Sequence, residues 1–210
     1  MSHRRKPLAI ALGLNSVVLA AELAGGLFAG SLSLVLDAIH NLSDEVALAF
    51  LVLAYSLRAG LSGRLVQSAN LINSAGLLAI CAFLFWRAVE RLAAPVPVLG
   101  AVPILAGVAG AVGNWGVVRV LRRPSAEDAA IRLAYVHNLG DTALSLAPAA
   151  AGALVIAAGT PVFDSIVAMG IAAFILIATA RSVAGSHREL LWPAEVACAH
   201  ADEGARHSTA

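Results

Sequence analysis

The chain has 210 residues, 60% of them hydrophobic and 13% charged, with a formal net charge of +1 and a mean hydropathy of +0.84. A soluble domain of this size is closer to half apolar and a quarter charged, so the composition argues against a water-soluble enzyme. The near-neutral balance, with no basic block, argues against a nucleic-acid binder. Cys81 lies in an apolar segment and Cys198 in a polar tail, which suits neither a disulfide framework nor a CxxC metal site. The class indicated is an all-α, polytopic membrane protein.

In chain order, Met1–Pro7 is basic and leads into a long apolar stretch with no obvious small-residue cleavage site, which predicts a retained first helix rather than a signal peptide. A membrane span needs roughly 20 apolar residues, and six segments qualify. The first is expected over about Leu8–Phe28, and the second over about Leu32–Leu57 after a turn at Gly30-Ser31. The third covers about Val66–Val89, and the fourth about Val98–Val120 after the Pro95-Val96-Pro97 break. The fifth covers about Ala129–Ala158, and the sixth about Val162–Val183 after Gly159-Thr160-Pro161. This divides the chain into an N-terminal segment (1–7), a six-helix transport domain (8–184) and a short polar tail (185–210) with no room for a further domain.

Basic residues set the orientation. Arg4, Arg5, Lys6, Arg58, Arg64, Arg119, Arg122, Arg123, Arg132, Arg181 and Arg188 fall on one side of the six spans, and Arg87 and Arg91 on the other. Both termini are therefore expected in the cytoplasm.

One signature occurs twice: His40-Asn41-Leu42-Ser43-Asp44 and His137-Asn138-Leu139-Gly140-Asp141. Each places an imidazole and a carboxylate at i, i+4, on one helix face about a turn apart. The second helix enters from outside and the fifth from the cytoplasm, so the antiparallel pair brings both motifs to a similar depth. At 1.5 Å per residue, His40 and Asp44 lie roughly 12–18 Å in, near the midplane of a core about 30 Å thick. Ionisable residues at that depth are costly and mark function. Two nitrogens and two carboxylates make a four-ligand set for Zn²⁺, in preference to Mg²⁺ or Ca²⁺, which take all-oxygen shells. Because a ligating His must be neutral, protons compete with the ion, and one site could exchange metal for protons.

Other embedded polar residues have lesser roles. Asp37 precedes His40 by three and is a supporting partner for the imidazole, an ion-path residue or a plain polar residue near the outer mouth, the supporting roles being preferred. Glu22 is a candidate lining of a water-filled path on its charge alone. Asn15, Asn70, Asn73 and Asn114 are expected to bond between helices. Glu45 points away from the His/Asp face, Asp164 is expected as a solvated helix-start carboxylate, and His187, His200 and His207 have no ligand spacing.

These residues resemble the cation diffusion facilitator family of divalent-metal/proton antiporters. Glu22-Leu23-Ala24-Gly25-Gly26, Gly30-Ser31-Leu32-Ser33-Leu34 and Asp37 through Asp44 look like its first two helices, and Ala134-Tyr135-Val136-His137 through Asp141 like its fifth-helix motif. Glu90-Arg91-Leu92 with Pro95, and Gly100 through Asn114, resemble the end of its third helix and its fourth. The resemblance places the transport site on His40, Asp44, His137 and Asp141. Two His in those positions imply zinc as the transported ion, with Cd²⁺ or Co²⁺ as alternatives, and no prosthetic group. It further implies efflux from cytoplasm to outside, a homodimer in the lipid bilayer, alternating access by rocking of helix groups and a bacterial inner-membrane location. Leu190-Leu191-Trp192-Pro193 resembles the junction to a cytoplasmic C-terminal domain, so a short member lacking that domain is expected, one that dimerises through its membrane helices. Three other readings stand beside the transporter. They are a non-transporting regulatory or assembly subunit, an intramembrane metalloenzyme with Glu45 or Asp37 as its base, and a bis-His haem protein.

Overall fold

The computed structural model describes residues 2–56 and 63–185. Its helices are α1 (Ser2–Ala29), α2 (Leu32–Ala54), α3 (Gly63–Ala93), α4 (Ala101–Leu121), α5 (Ala129–Leu144), α6 (Leu146–Ala158) and α7 (Val162–Gly185), with a 3-10 turn at Pro124–Ala126 before α5. Among the described residues there is no strand. The polar tail beyond Gly185, with His187, Arg188, Cys198, His200, His207 and the Leu190-Leu191-Trp192-Pro193 stretch, lies outside the described residues, as does Arg58.

Five segments are long and apolar enough to cross a bilayer: Lys6–Ala29, Ser68–Ala93, Ala101–Leu121, Ala129–Ala158 and Val162–Ala184. Helix α2, 23 residues long, lies among them and carries Asp37, Asp44 and Glu45. Large apolar side chains such as Val17, Phe28, Ile72, Leu105 and Val112 are exposed, whereas Asn15, Glu22, Asp37, Asn41, Asn114 and Asn138 are buried. This inversion of the soluble pattern is what a lipid surround demands, and the chain is a multi-pass membrane protein.

The expected fifth span is two helices, α5 and α6, meeting at Ser145. Pro148 explains the break: it lacks an N–H and its ring opposes the carbonyl of residue i−4, Leu144. Gly30 and Gly159 take left-handed backbone angles, φ 68° and 66°, at the ends of α1 and α6, where a residue with Cβ would be strained.

Helix α1 packs on α2 and α4, and α4 also packs on α5 and α6, while α3 pairs with α7. Leu32 and Leu36 of α2 join the α3–α7 pair by meeting Leu77, Cys81, Leu84, Ile171 and Ile175. On the other side, Leu51 joins Leu8, Val117, Leu121 and Ile131. Lipid tails are as apolar as leucine, so such packing relies on close approach through small residues. Gly107 provides it between α4 and α6: a Cβ there would lie 2.7 Å from the Ser145 carbonyl oxygen and 3.0 Å from Ala149 N. Backbone cannot step aside, so Gly107→Ala is expected to cost about 1–3 kcal/mol of stability. A lowered midpoint of thermal unfolding in detergent would show it, and an unchanged midpoint would refute it.

The opposite end of the bundle, around the α1–α2 turn and the start of α7, is tied by polar groups. Asp164 is not solvated as expected; it is fully buried. Its carboxylate accepts from Ser31 Oγ at 2.6 Å, Ser33 Oγ at 2.6 Å and Leu32 N at 2.7 Å. Leu32 N is available because the first N–H groups of a helix have no helical partner, and the Ser31 and Ser33 hydroxyls on either side of it complete the set. Beside it, Arg91 donates to the Gly30 carbonyl at 2.5 Å. Arg87 pairs with Glu90, so both arginines at this end of the bundle are engaged.

Candidate metal site

The two motifs meet where α2 and α5 cross antiparallel. His137 Nε2 lies 2.7 Å from Asp44 Oδ1, and His40 Nε2 lies 3.2 Å from Asp141 Oδ1. Each carboxylate is therefore closer to the imidazole of the other helix than to its own, the intrahelical distances being 3.9 Å for His40–Asp44 and 3.8 Å for His137–Asp141. One ligand atom from each of the four residues lies within 4.8 Å of every other. Around a tetrahedral ion with bonds of about 2.05 Å, ligand atoms sit roughly 3.3 Å apart. The quartet spans that separation, so small side-chain adjustments would close it on an ion. Asp44 Oδ2 is buried without a hydrogen-bond partner, as is His40 Nδ1, the ring nitrogen other than the one that faces the two carboxylates.

Local sequence sets these positions. Ser31 caps α2, its side chain accepting from Leu34 N. Asp128 caps α5, accepting from Ala130 N at 3.0 Å and Ile131 N at 3.2 Å. Tyr55, just past the end of α2, donates to Asp128 as well, which ties the end of one ligand helix to the start of the other. An Asp directly before an apolar helical run is a cap signal legible in sequence, but its Tyr55 partner is not.

A cavity of about 850 Å³ leads to the quartet from the ends of α2, α3, α5 and α7 near Leu51, Asn70, Ala130 and Ser182. This is the end that the distribution of basic residues leads one to expect in the cytoplasm. His137 faces the cavity with 47% of its side chain exposed, against 12% for His40, 8% for Asp44 and 6% for Asp141. Across the cavity, Asn73 donates to Ser43 Oγ at 2.8 Å, so this Asn bonds between helices as expected. Asn15 and Asn114 do the same, the latter donating to Ser145 Oγ at 3.1 Å.

Asp37 and Glu22 are not among the four clustered residues, although Asp37 lies close enough to His40 and Asp141 to feel their charge. Both are buried, and neither lines the cavity. Asp37 neighbours Ser145, Glu22 and His40, while Glu22 accepts from Asn41 Nδ2 at 2.6 Å. Glu45 is turned to α1, bonded to Asn15 and Ser16, which removes it as a base beside the quartet.

Residues 8–191 match the family described as the cation efflux transmembrane domain. The chain is 31% identical over 199 residues to zinc transporter ZitB of Pectobacterium atrosepticum, a match covering 90% of this chain and 62% of that protein. Against zinc transporter ZitB of Escherichia coli it is 32% identical over 203 residues, covering 92% and 65%. Against the cadmium, cobalt and zinc/H(+)-K(+) antiporter of Bacillus subtilis it is 26% identical over 182 residues, covering 82% and 58%. The chain thus spans less than two thirds of the length of these relatives.

Proposed function

The chain belongs to the cation efflux family, and from that premise we propose that it carries Zn²⁺ out of the cytoplasm in exchange for protons, using His40, Asp44, His137 and Asp141 to hold the ion. The observation that carries this reading is the cross-paired quartet at the end of the cavity. Borderline nitrogen and carboxylate donors favour Zn²⁺, and Cd²⁺ and Co²⁺ are secondary cargo of the same chemistry. Relatives named as a zinc transporter and as a cadmium, cobalt and zinc/H(+)-K(+) antiporter support both halves of the proposal. The ion is the substrate, and its exchange against protons makes the chain a secondary-active transporter with no need of a prosthetic group. Its setting is a bacterial inner membrane, as a homodimer formed through the membrane helices. The α3–α7 pair and the helices around α4 are the two groups that would rock against each other.

Proton coupling follows from the donors. Neutral imidazole binds metal and imidazolium does not, with the change centred near pH 6.5 for an ordinary histidine. Lowering pH on one face therefore releases metal to that face, and raising it favours loading. In proteoliposomes with an acidic lumen, external Zn²⁺ is expected to accumulate inside while the lumen becomes more alkaline. Zinc uptake that ignores the pH gradient and moves no protons would refute the exchange.

A further inference from the structure

The two halves of the quartet come from one five-residue pattern but are held differently. On α2, Asp37, Asn41 and Glu45 recur every fourth residue, forming a polar stripe beside the His40/Asp44 stripe. That stripe is fastened to α1. Asn41 Nδ2 donates to Glu22 Oε2 at 2.6 Å. Asn15 Nδ2 donates to the Asn41 carbonyl at 3.1 Å and to Glu45 Oε2 at 2.9 Å, and Ser16 donates to the other Glu45 oxygen. Asn15 and Glu22 are 0% exposed and Asn41 is 1% exposed. Helix α4 makes room at Gly110, where a Cβ would overlap Glu22 Oε1.

On α5, Asn138 holds the position equivalent to Asn41, yet its Nδ2 donates to the Ala134 carbonyl of its own helix at 2.9 Å. The repeat is symmetric in sequence and asymmetric in support.

Support of this kind matters because a ligand atom stands roughly 6 Å from its helix axis. A 20° roll of α2 would carry that atom about 2 Å sideways, as far as a whole metal–ligand bond. Hydrogen bonds on the adjacent stripe resist that roll.

We propose that Glu22 and Asn15 of α1 are positioning residues for the metal site. Acting through Asn41 and Glu45, they fix the roll of α2 and so the directions of His40 and Asp44. On the α5 half, Asn138 makes no matching bond to a neighbouring helix among the described residues, and its ligands are delivered with more freedom. The proposal rests on the reading of the quartet as a metal site.

The test uses Co²⁺, whose visible spectrum reports tetrahedral coordination, on the purified full chain. Glu22→Gln keeps an oxygen to accept from Asn41 and is expected to retain the spectrum. Its apparent Co²⁺ affinity, like that of Asn138→Ala, should stay within about threefold, whereas Glu22→Ala and Asn41→Ala weaken binding about tenfold or more and reduce the tetrahedral band. A metal-free measurement accompanies it: cross-linking by a short bismaleimide of a His40→Cys/His137→Cys chain with Cys81 and Cys198 replaced by Ala; the parent imidazole rings lie 5.6 Å apart, a gap for a bridging reagent rather than a direct disulfide. Its yield should fall when Glu22→Ala is added and hold when Glu22→Gln is added.

A Glu22→Gln chain as impaired as Glu22→Ala would overturn the proposal, since the charge and not the bond would then matter. So would Asn138→Ala matching Asn41→Ala, or Glu22→Ala leaving both spectrum and cross-link unchanged. If the native chain gives no Co²⁺ band while the cross-link still depends on Glu22, the metal reading fails and the brace stands.

Discussion

Asp44→Ala is expected to reduce zinc uptake at least about 100-fold, the upper end of what the loss of even an outer partner of a metal ligand can do. Asp44 faces both imidazoles, with Oδ1 2.7 Å from His137 Nε2 and Oδ2 3.9 Å from His40 Nε2. Its removal takes away one oxygen donor and leaves His137, the most exposed of the four, without its partner on α2. Three remaining ligands hold zinc less tightly and leave a position open to water. Radiolabelled zinc uptake into proteoliposomes, compared at equal protein insertion, measures the loss. Uptake within a few-fold of the native chain would show that Asp44 does not hold the ion.

Asp164→Ala is expected to act on the fold. The buried carboxylate accepts three hydrogen bonds from the first turn of α2 and also supplies negative charge at a helix N-terminus. Removing it leaves two hydroxyls and one amide without their acceptor. Ser31 and Ser33 lie 3.2 Å apart and can bond each other, but Leu32 N has no such substitute. Breaking a buried charge-assisted cluster from one side costs about 3–5 kcal/mol. Asp164→Asn keeps one accepting oxygen and should lose less. Thermal unfolding in detergent should therefore rank native, Asn and Ala in falling order, and an Ala variant as stable as the native chain would contradict this account.

The convergence of the four side chains was legible in sequence because desolvation leaves few reasons to bury two His and two Asp at the same depth in antiparallel helices. Charge asymmetry and span length give the expectation that the two motifs lie at one depth, and the four side chains do converge. The cross-pairing of each His with the other helix's Asp was not legible, since it depends on how α2 and α5 are held by α1 and α4. Asp164 was misread for a related reason. A carboxylate at a helix start is usually solvated, and nothing local to residue 164 reveals that Ser31 and Ser33, more than a hundred positions away, will enclose it. The break at Ser145 was marked by Pro148, but hydropathy runs unbroken from Ala129 to Ala158 and hid it. The motif's symmetry does not extend to its surroundings: Asn41 and Asn138 occupy equivalent places in the repeat, yet one is fastened to a neighbouring helix and the other to its own.

The central claim is that these four side chains hold the transported ion. Its most direct measurement is Zn²⁺ binding to the purified chain by equilibrium dialysis, joined to X-ray absorption of the bound ion, for the native chain and for Asp141→Ala. The account predicts a tight site with two nitrogen and two oxygen ligands near 2.0–2.2 Å, lost or greatly weakened in Asp141→Ala. Equal binding by both chains, or a shell containing sulfur, would contradict it.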